Sequence, residues 1–305
     1  MSIEALPGEL TELAPAARRA GTMRALVRNP SVVIGAVIVI VLALIGLLAP
    51  VLGTIDPAEI NPAFRNKRPG AERVIRDADG KETAFVHRFG TDSLGRDVYS
   101  RVVYGARVSL VIGVTVAVVA VAIGLLAGYI RWLDGLIMRV MDGLMAIPAI
   151  LLAMGVVSLS RAGLIAVVIA IVVPDIPRVV RLVRAIVLSI REEPYVEAAI
   201  TVGTPTAKLL VRHVLPNTVA PLIVQGTFIC ASAILIEAIL SFLGIGIPPE
   251  TPTWGNIMAE GRSLFRIYPH NIFYPGVCLA LAVLAINMLG DGLRDTLDPR
   301  FAKRV

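Results

Sequence analysis

Two acidic residues lie inside apolar stretches of this sequence, where a charged side chain is costly. Asp175 stands between two prolines, and Glu237 follows a run without charges that begins at residue 214. A charge at the centre of a lipid bilayer costs about 2.5–3.5 kcal/mol on insertion scales, so such side chains usually face a water-filled cavity or a partner. Carboxyl groups in these positions have the chemistry to hold a polar solute or to relay protons.

Three arginines follow Asp175 at intervals of three residues and therefore share one face of a helix. They are Arg178, Arg181 and Arg184. Asp175 and Arg178 are spaced to pair with each other. Two interpretations stay open. Either the face is a polar wall of a translocation path, or its charges pair structurally at a protein contact and extend toward the aqueous interface.

The sequence contains no arrangement of residues typical of catalysis or metal binding. His87, His213 and His270 stand far apart in different loops, and the cysteines, Cys230 and Cys278, lie within apolar runs without a metal-ligand spacing. The phosphate-binding pattern G-x-x-x-x-G-K-S/T is absent as well. We therefore predict no catalytic residue, no metal site and no cofactor bound by this chain.

The composition indicates a membrane protein. Hydrophobic residues make up 56% of the chain and charged residues only 17%, whereas soluble domains carry about 25% charged residues. The net charge of +6 is spread over short loops and forms no basic stripe, which argues against a nucleic-acid partner. Apolar runs in lipid must be helical, because isolated strands leave backbone groups unpaired.

We therefore predict an all-α membrane protein with six transmembrane helices. The predicted spans are 31–52, 108–130, 143–160 with a kink at Pro148, a fourth from about 163, a fifth from after Pro216 to about 246, and a sixth at about 271–290.

Six spans place both termini on the same side of the membrane. The excess of arginine and lysine near both ends favours the cytoplasm. The predicted division is a cytoplasmic arm 1–30, an extracytoplasmic segment 53–107 after the first span, a five-helix core 108–290 and a cytoplasmic tail 291–305. The extracytoplasmic segment also contains many arginines and lysines, but at about 50 residues it nears the length at which charge loses its influence on topology.

One polar segment, residues 192–216, interrupts the apolar core on the cytoplasmic side. Pro194 suits the first turn of a helix, and Gly203 suits the position that ends it. Thr204 and Pro205 then restart the helix as N-cap and first residue. Two interpretations fit this helix–turn–helix: it lies on the lipid surface, or its small residues allow insertion into a groove of a partner.

The residues of the polar segment resemble a known motif. The letters EAA (197–199), Gly203 and HVLP (213–216) are spaced as in the EAA loop of ABC-importer permeases. Three further stretches, 89–110, 237–258 and 287–300, resemble the C-type permease of the dipeptide, oligopeptide and nickel branch. The chain is therefore identified as a member of that family, with an ABC-importer type I architecture.

The resemblance implies partners and site residues. The expected partners are a second, homologous permease, one or two cytoplasmic ATPase subunits that carry ATP and Mg, and an extracytoplasmic substrate-binding protein, all at a bacterial inner membrane. The implied ATPase-coupling residues are Glu197, Ala198, Ala199, Gly203, Leu215 and Pro216. The translocation path is expected to include Asp175, Arg181 and Glu237. The expected cargo is a di- or oligopeptide or a related small solute, and the alternative is a proton-coupled secondary transporter that uses Asp175 and Glu237.

The stretch before the second span carries a further hypothesis. Asp92 or Ser93 can cap a helix whose charged side holds Arg96, Asp97 and Arg101. This pattern is typical of a helix at the membrane interface, and the alternative is a surface for the partner permease or the binding protein. Trp254 is expected at the membrane interface for a similar reason.

Overall fold

The computed structural model describes residues 24–76, 82–129, 134–159 and 163–297, and these residues are mostly helical. The helices are α1 (Pro30–Leu47), α2 (Val98–Tyr129), α3 (Asp134–Met145), α4 (Ala149–Leu159), α5 (Leu164–Arg191), α6 (Pro194–Thr201), α7 (Thr206–Leu209), α8 (Leu215–Phe242), α9 (Trp254–Gly261) and α10 (His270–Leu297). Short 3₁₀ turns occupy Ala49–Val51, Pro62–Phe64 and Arg262–Leu264.

Four helices in the described residues are long and apolar enough to cross a membrane: α1, α2, α8 and α10. A fifth candidate is the pair α3 and α4, which is bent by 93° at the break between them. Pro148 lies in this break, so the predicted kink is confirmed and is sharper than expected. The helix before the break begins at Asp134, nine residues earlier than the predicted span.

Helix α5 has 28 residues and so a length of about 42 Å. It is long enough to cross a bilayer, but its middle carries Asp175 and two arginines within one 18-residue stretch, so composition alone does not mark it as a span. The six predicted spans thus correspond to four apolar helices, one bent pair and this charged helix.

Two helices extend beyond the predicted spans. Helix α2 begins at Val98, ten residues before the predicted second span, so no separate interfacial helix precedes it. Helix α10 continues to Leu297, seven residues past the predicted sixth span. The predicted cytoplasmic arm and tail lie largely outside the described residues.

The predicted extracytoplasmic segment, residues 53–107, contains the one departure from the all-α prediction within the described residues. Strands β1 (Ala71–Arg76) and β2 (Glu82–His87) form an antiparallel pair, in which Ala71 lies opposite His87. A strand pair is possible here because the segment lies outside the long apolar helices, where water can satisfy the open edges.

The core forms where α2 packs between α5 and α8. Glycines on α2 allow this close approach: a Cβ on Gly124 would lie 2.4 Å from Val179, and a Cβ on Gly128 would lie 2.6 Å from Val183. Small residues have this role in membrane helices because dispersion between close backbones replaces the hydrophobic effect. The same contact fixes α5, and with it Asp175, against the centre of the molecule.

Candidate functional site

The first half of the polar segment is a short helix with a well-defined end. Helix α6 begins at Pro194, as predicted, and Gly203 follows it with a φ of +80°. The amide of Gly203 donates to the carbonyl of Ile200 at 2.9 Å, and that of Thr204 donates to Ala199 at 3.0 Å. This pair of bonds is a Schellman motif, which requires a left-handed residue at the position of Gly203.

The second half of the polar segment continues directly into α8. Helix α7 begins at Thr206, one residue later than the predicted start, and is followed by a π-helical turn, Leu210–Val214. The amide of Leu215 bonds to the carbonyl of Leu210, five residues back. Pro216 has no amide hydrogen and its ring crowds the carbonyl four residues before it. The π turn widens the helix at the place where this clash would occur.

The polar segment exposes most of the residues that the sequence assigned to it. Val196 and Leu209 are buried and attach the segment to the rest of the chain. Glu197, Ala198 and Gly203 are exposed, and Ala199 and Leu215 are half-buried. Large apolar side chains are exposed as well: Ile200, Val202 at 85% and Val211 at 65%. A surface of small and exposed apolar residues is typical of a site that another protein covers.

The two intramembrane acids occupy different environments. Asp175 is buried, and its Oδ1 accepts a hydrogen bond from Nη1 of Arg178 at 3.0 Å. Its Oδ2 has no partner among the described residues. This hydrogen bond confirms the expected pairing of the two residues. The Arg178 side chain is half exposed.

Two other arginines on α5 pair with acids on α3. Arg181 bonds to Asp142, and Arg184 forms a two-point pair with Asp134, with Nε–Oδ1 2.7 Å and Nη2–Oδ2 2.8 Å. All four side chains are partly exposed. The sequence did not identify these partners, because the pairing depends on how the bent pair packs. These contacts hold α3 against the C-terminal half of α5.

Glu237 is fully buried between α8 and the loop that follows it. Its Oε1 accepts a hydrogen bond from the hydroxyl of Ser241 at 2.8 Å, one turn along the same helix, and the side chain of Thr253 also interacts with it. Its Oε2 has no hydrogen-bond partner within the described part of the chain. These contacts link α8 to the start of α9.

A buried cluster of charges lies at the outer end of α2. Arg96 bonds to Asp92 at 2.7 Å and to Glu260 on α9, and Arg101 bonds to Glu260 at 3.3 Å. Arg96 and Arg101 also donate to the carbonyl of Pro249. The prediction that Arg96 and Arg101 lie on the charged side of an interfacial helix was therefore wrong. The side chains of Arg96, Arg101 and Asp92 are 0–4% exposed and that of Glu260 is 19% exposed, because the arginines meet an acid on α9, far along the chain. We call these four side chains the outer charge cluster.

Two neighbouring contacts complete the outer end. Nδ1 of His87 lies 2.8 Å from Asp97, whose other oxygen accepts from the hydroxyl of Ser100 at 2.6 Å. This attaches strand β2 to the first turn of α2. Trp254 is fully buried and donates to the carbonyl of Val102 at 3.1 Å, so its ring is enclosed by protein and is not exposed to lipid.

These observations define a multi-pass membrane protein with an exposed polar segment between two long helices. The model of the family described as the binding-protein-dependent transport system inner membrane component matches residues 120–303, more than half of the chain. The chain belongs to this family. A second model, described as the N-terminal transmembrane domain of oligopeptide transport permease C, matches residues 19–69.

Relatives agree with this family, and one solved structure shares the fold. The chain is 46% identical over 281 residues to a probable peptide ABC transporter permease of Sinorhizobium fredii, with 91% of each chain covered. It is 40% identical to a dipeptide transport system permease of Alkalihalophilus pseudofirmus, over 90% of this chain and 87% of the relative. Its fold resembles a chain of the inward-facing MetNI methionine ABC transporter, with a TM-score of 0.50 and 19% identity, over 66% of this chain and 94% of that one.

The family resemblance drawn from the sequence is thus confirmed, and the protein is an ABC transporter permease subunit. The alternative of a proton-coupled secondary transporter is not supported by these relatives. The relatives are permeases, not enzymes. The coupling and translocation-path residues stay predictions.

Proposed function

We propose that this chain is the C-type permease of an ATP-driven importer in a bacterial inner membrane, with a di- or oligopeptide or a related small solute as cargo. The observation that carries the proposal is the exposed polar segment, whose Schellman motif and uncovered apolar side chains form a preformed surface for another protein. The peptide assignment follows the names of the relatives.

The proposed orientation has six spans and cytoplasmic termini. Helices α1, α2, α5, α8 and α10 and the bent pair would make these spans, and the polar segment between α5 and α8 then lies in the cytoplasm. Strands β1 and β2 and the outer charge cluster would lie outside. In this arrangement a substrate-binding protein approaches from the side of the strands, and one or two ATPase subunits approach the polar segment.

The polar segment is proposed to act as a lever. Helix α6 follows the end of α5 after two residues, and the π turn joins α7 to α8 without a break. A displacement of the docked segment by ATPase closure would therefore be transmitted to both spans. A rigid-body change of this kind alternates access between the two sides. Glu197, Ala198, Ala199 and Gly203 form the docking end, and Leu215 and Pro216 join it to α8.

The test of this function uses the assembled transporter in vesicles. The chain is co-expressed with its candidate partner permease and ATPases, and the complex is reconstituted. We expect peptide uptake that requires ATP and the binding protein and that proceeds without a proton gradient. Uptake driven by a proton gradient in vesicles that lack any ATPase would contradict the proposal.

The path assignment of Glu237 is tested by the change Glu237→Gln. Glutamine has the same shape and its carbonyl oxygen can still accept from Ser241, so the fold and the yield of complex are expected to stay unchanged. If the charge borders the path when the transporter changes conformation, uptake should fall severalfold. The control is Ser241→Ala, which removes the hydrogen bond and leaves the charge. Uptake that is unchanged in Glu237→Gln for every peptide tested would remove this residue from the path.

A further inference from the structure

An apolar groove opens between α8, α9 and α10, near the C-terminal end of α8. It has a free volume of about 150 Å³, and its lining includes Leu235 and Phe242 on α8, Met258 on α9 and Leu279 on α10. Every side chain that lines it is apolar. Leu235 is 44% exposed, so the groove is open along its side. An apolar space of this size stays dry and takes up apolar molecules.

The groove lies at the depth of one half of a bilayer. Helix α8 has 28 residues and so a length of about 42 Å, which exceeds the roughly 30 Å of hydrocarbon in a bilayer. Phe242 is its last residue, and Leu235 lies about 10 Å before it along the helix axis. Leu279 lies about 14 Å after the start of α10. The groove therefore extends from the end of α8 into the apolar layer, which is the outer leaflet in the proposed orientation.

An arginine with no acidic partner among the described residues stands at the end of this groove. Nη1 of Arg262 donates to the carbonyl of Phe242 at 3.1 Å, and its guanidinium group lies 5.8 Å from the centre of the Phe242 ring. Arg262 is exposed. The nearby acid Glu260 pairs instead with Arg96 and Arg101. The remaining N–H donors of Arg262 are therefore available to an anion outside this chain.

The chain that follows Arg262 has the composition of a membrane-interface segment. Phe265 is 50% exposed and Ile267 is 62% exposed, and Arg266 between them is exposed as well. Arginines beside exposed aromatic and aliphatic side chains are typical of a segment at the level of the lipid headgroups. A 3₁₀ turn, Arg262–Leu264, joins this segment directly to α9. The end of the groove therefore lies where lipid phosphates are found.

A phospholipid suits both parts of this site. An acyl chain has no polar atom and needs none from the lining, whereas a peptide in the same groove would leave its amides and carbonyls without hydrogen bonds. A phosphate group offers the charge and the oxygen acceptors that a guanidinium group binds best.

We propose that an acyl chain of an outer-leaflet phospholipid lies in the groove between α8, α9 and α10, and that the phosphate of this lipid accepts hydrogen bonds from Arg262. The inference uses the orientation of the proposed function and goes beyond it by adding a lipid site. The lipid fills the space that α9 leaves beside the two spans and so holds α9 in place from its apolar side.

Photolabelling by a lipid in the assembled transporter tests the site. The permeases and ATPases are reconstituted in vesicles of phosphatidylethanolamine and phosphatidylglycerol, with a small fraction of phosphatidylglycerol that carries a diazirine in its acyl chain. After irradiation, adducts are mapped on proteolytic fragments by mass spectrometry. We expect more adducts at Leu235 and Leu279 than at Val118, an exposed apolar residue of α2. Equal labelling at all three would mean ordinary contact with bulk lipid and would contradict the site.

The role of Arg262 is tested by the change Arg262→Gln in the same vesicles. Loss of a partly exposed charge interaction should reduce labelling in the groove about threefold. The matched control is Arg65→Gln, which removes an exposed arginine of the predicted extracytoplasmic segment and should leave the labelling unchanged. An equal effect of both changes would show a general effect of charge and would exclude the bond from Arg262.

Filling the groove gives an independent test. The change Leu235→Trp enlarges a side chain that is already exposed, and the ring should take the space of the acyl chain and lower labelling at Leu279 at least about fivefold. The control Leu281→Trp changes a residue of similar exposure outside the lining and should have no effect. If a diazirine-bearing peptide delivered by the binding protein labels the groove in place of the lipid, the inference is wrong. Lipid labelling as expected in a complex without ATP-driven uptake would refute the proposed function and leave the lipid site in place.

Discussion

Replacing Gly203 with valine is expected to reduce ATPase co-purification and ATP-driven uptake about tenfold. Gly203 has a φ of +80°, and an L-residue in this left-handed region costs roughly 1–2 kcal/mol, with β-branched side chains the least tolerated. Strain of this size is relieved by moving the turn, which displaces the docking end of α6. About 1.4 kcal/mol corresponds to a tenfold change in an equilibrium constant.

The change Gly203→Asn separates backbone strain from a contact with the ATPase. Asparagine tolerates the left-handed conformation, and a Cβ at this position meets no atom of this chain within 4 Å. If strain is the cause, Gly203→Asn should assemble and transport nearly as well as the native chain. If Gly203→Asn also loses the ATPase, the partner itself needs the space. Normal assembly and uptake of Gly203→Val would show that the turn has no part in coupling.

The change Glu260→Ala is expected to give the largest loss of stability. It leaves Arg96 and Arg101 buried with Asp92 as their remaining carboxylate partner in the outer charge cluster. Removing one partner of a buried ion pair costs about 3–5 kcal/mol, because an uncompensated charge stays behind. We expect the melting temperature of the purified complex to fall by about 10 °C.

The matched control is Glu250→Ala. Glu250 belongs to the same outer region and interacts with Arg101 at a distance, but its side chain is exposed. Exposed charge interactions are worth about 0–1 kcal/mol, so its melting temperature should shift by no more than a few degrees. Equal melting temperatures for both variants would mean that the outer charge cluster contributes no more than a surface pair.

Local physical rules explain the parts of the fold that were predicted correctly. The polar segment was divided correctly because its signals act within one turn of the chain: Pro194 starts α6 and Gly203 ends it. The kink at Pro148 follows from the same kind of local restriction. Apolar length predicted the long helices, since an uninterrupted apolar run must form a helix in lipid.

Predictions failed where the neighbour of a side chain decides its environment. Arg96 and Arg101 have a periodicity typical of a solvated face, yet they are buried because Glu260, 164 residues after Arg96, lies against them. Asp134 pairs with Arg184 only because α3 folds back along α5. Basic and acidic residues balance in the segment before α2, and the partner acid lies on α9, so charge balance alone does not identify partners.

The sequence by itself determined the family, the apolar helices and the helix–turn–helix of the polar segment, because motif spacing, apolar length and caps are properties of short stretches. The tertiary structure decided which charges are buried together, that Trp254 is enclosed and that Glu237 joins α8 to α9. It also decided that an apolar groove opens between α8, α9 and α10. The physical reason is that the cost of a charge depends on what surrounds it, and in this chain the surroundings come from helices far apart in sequence.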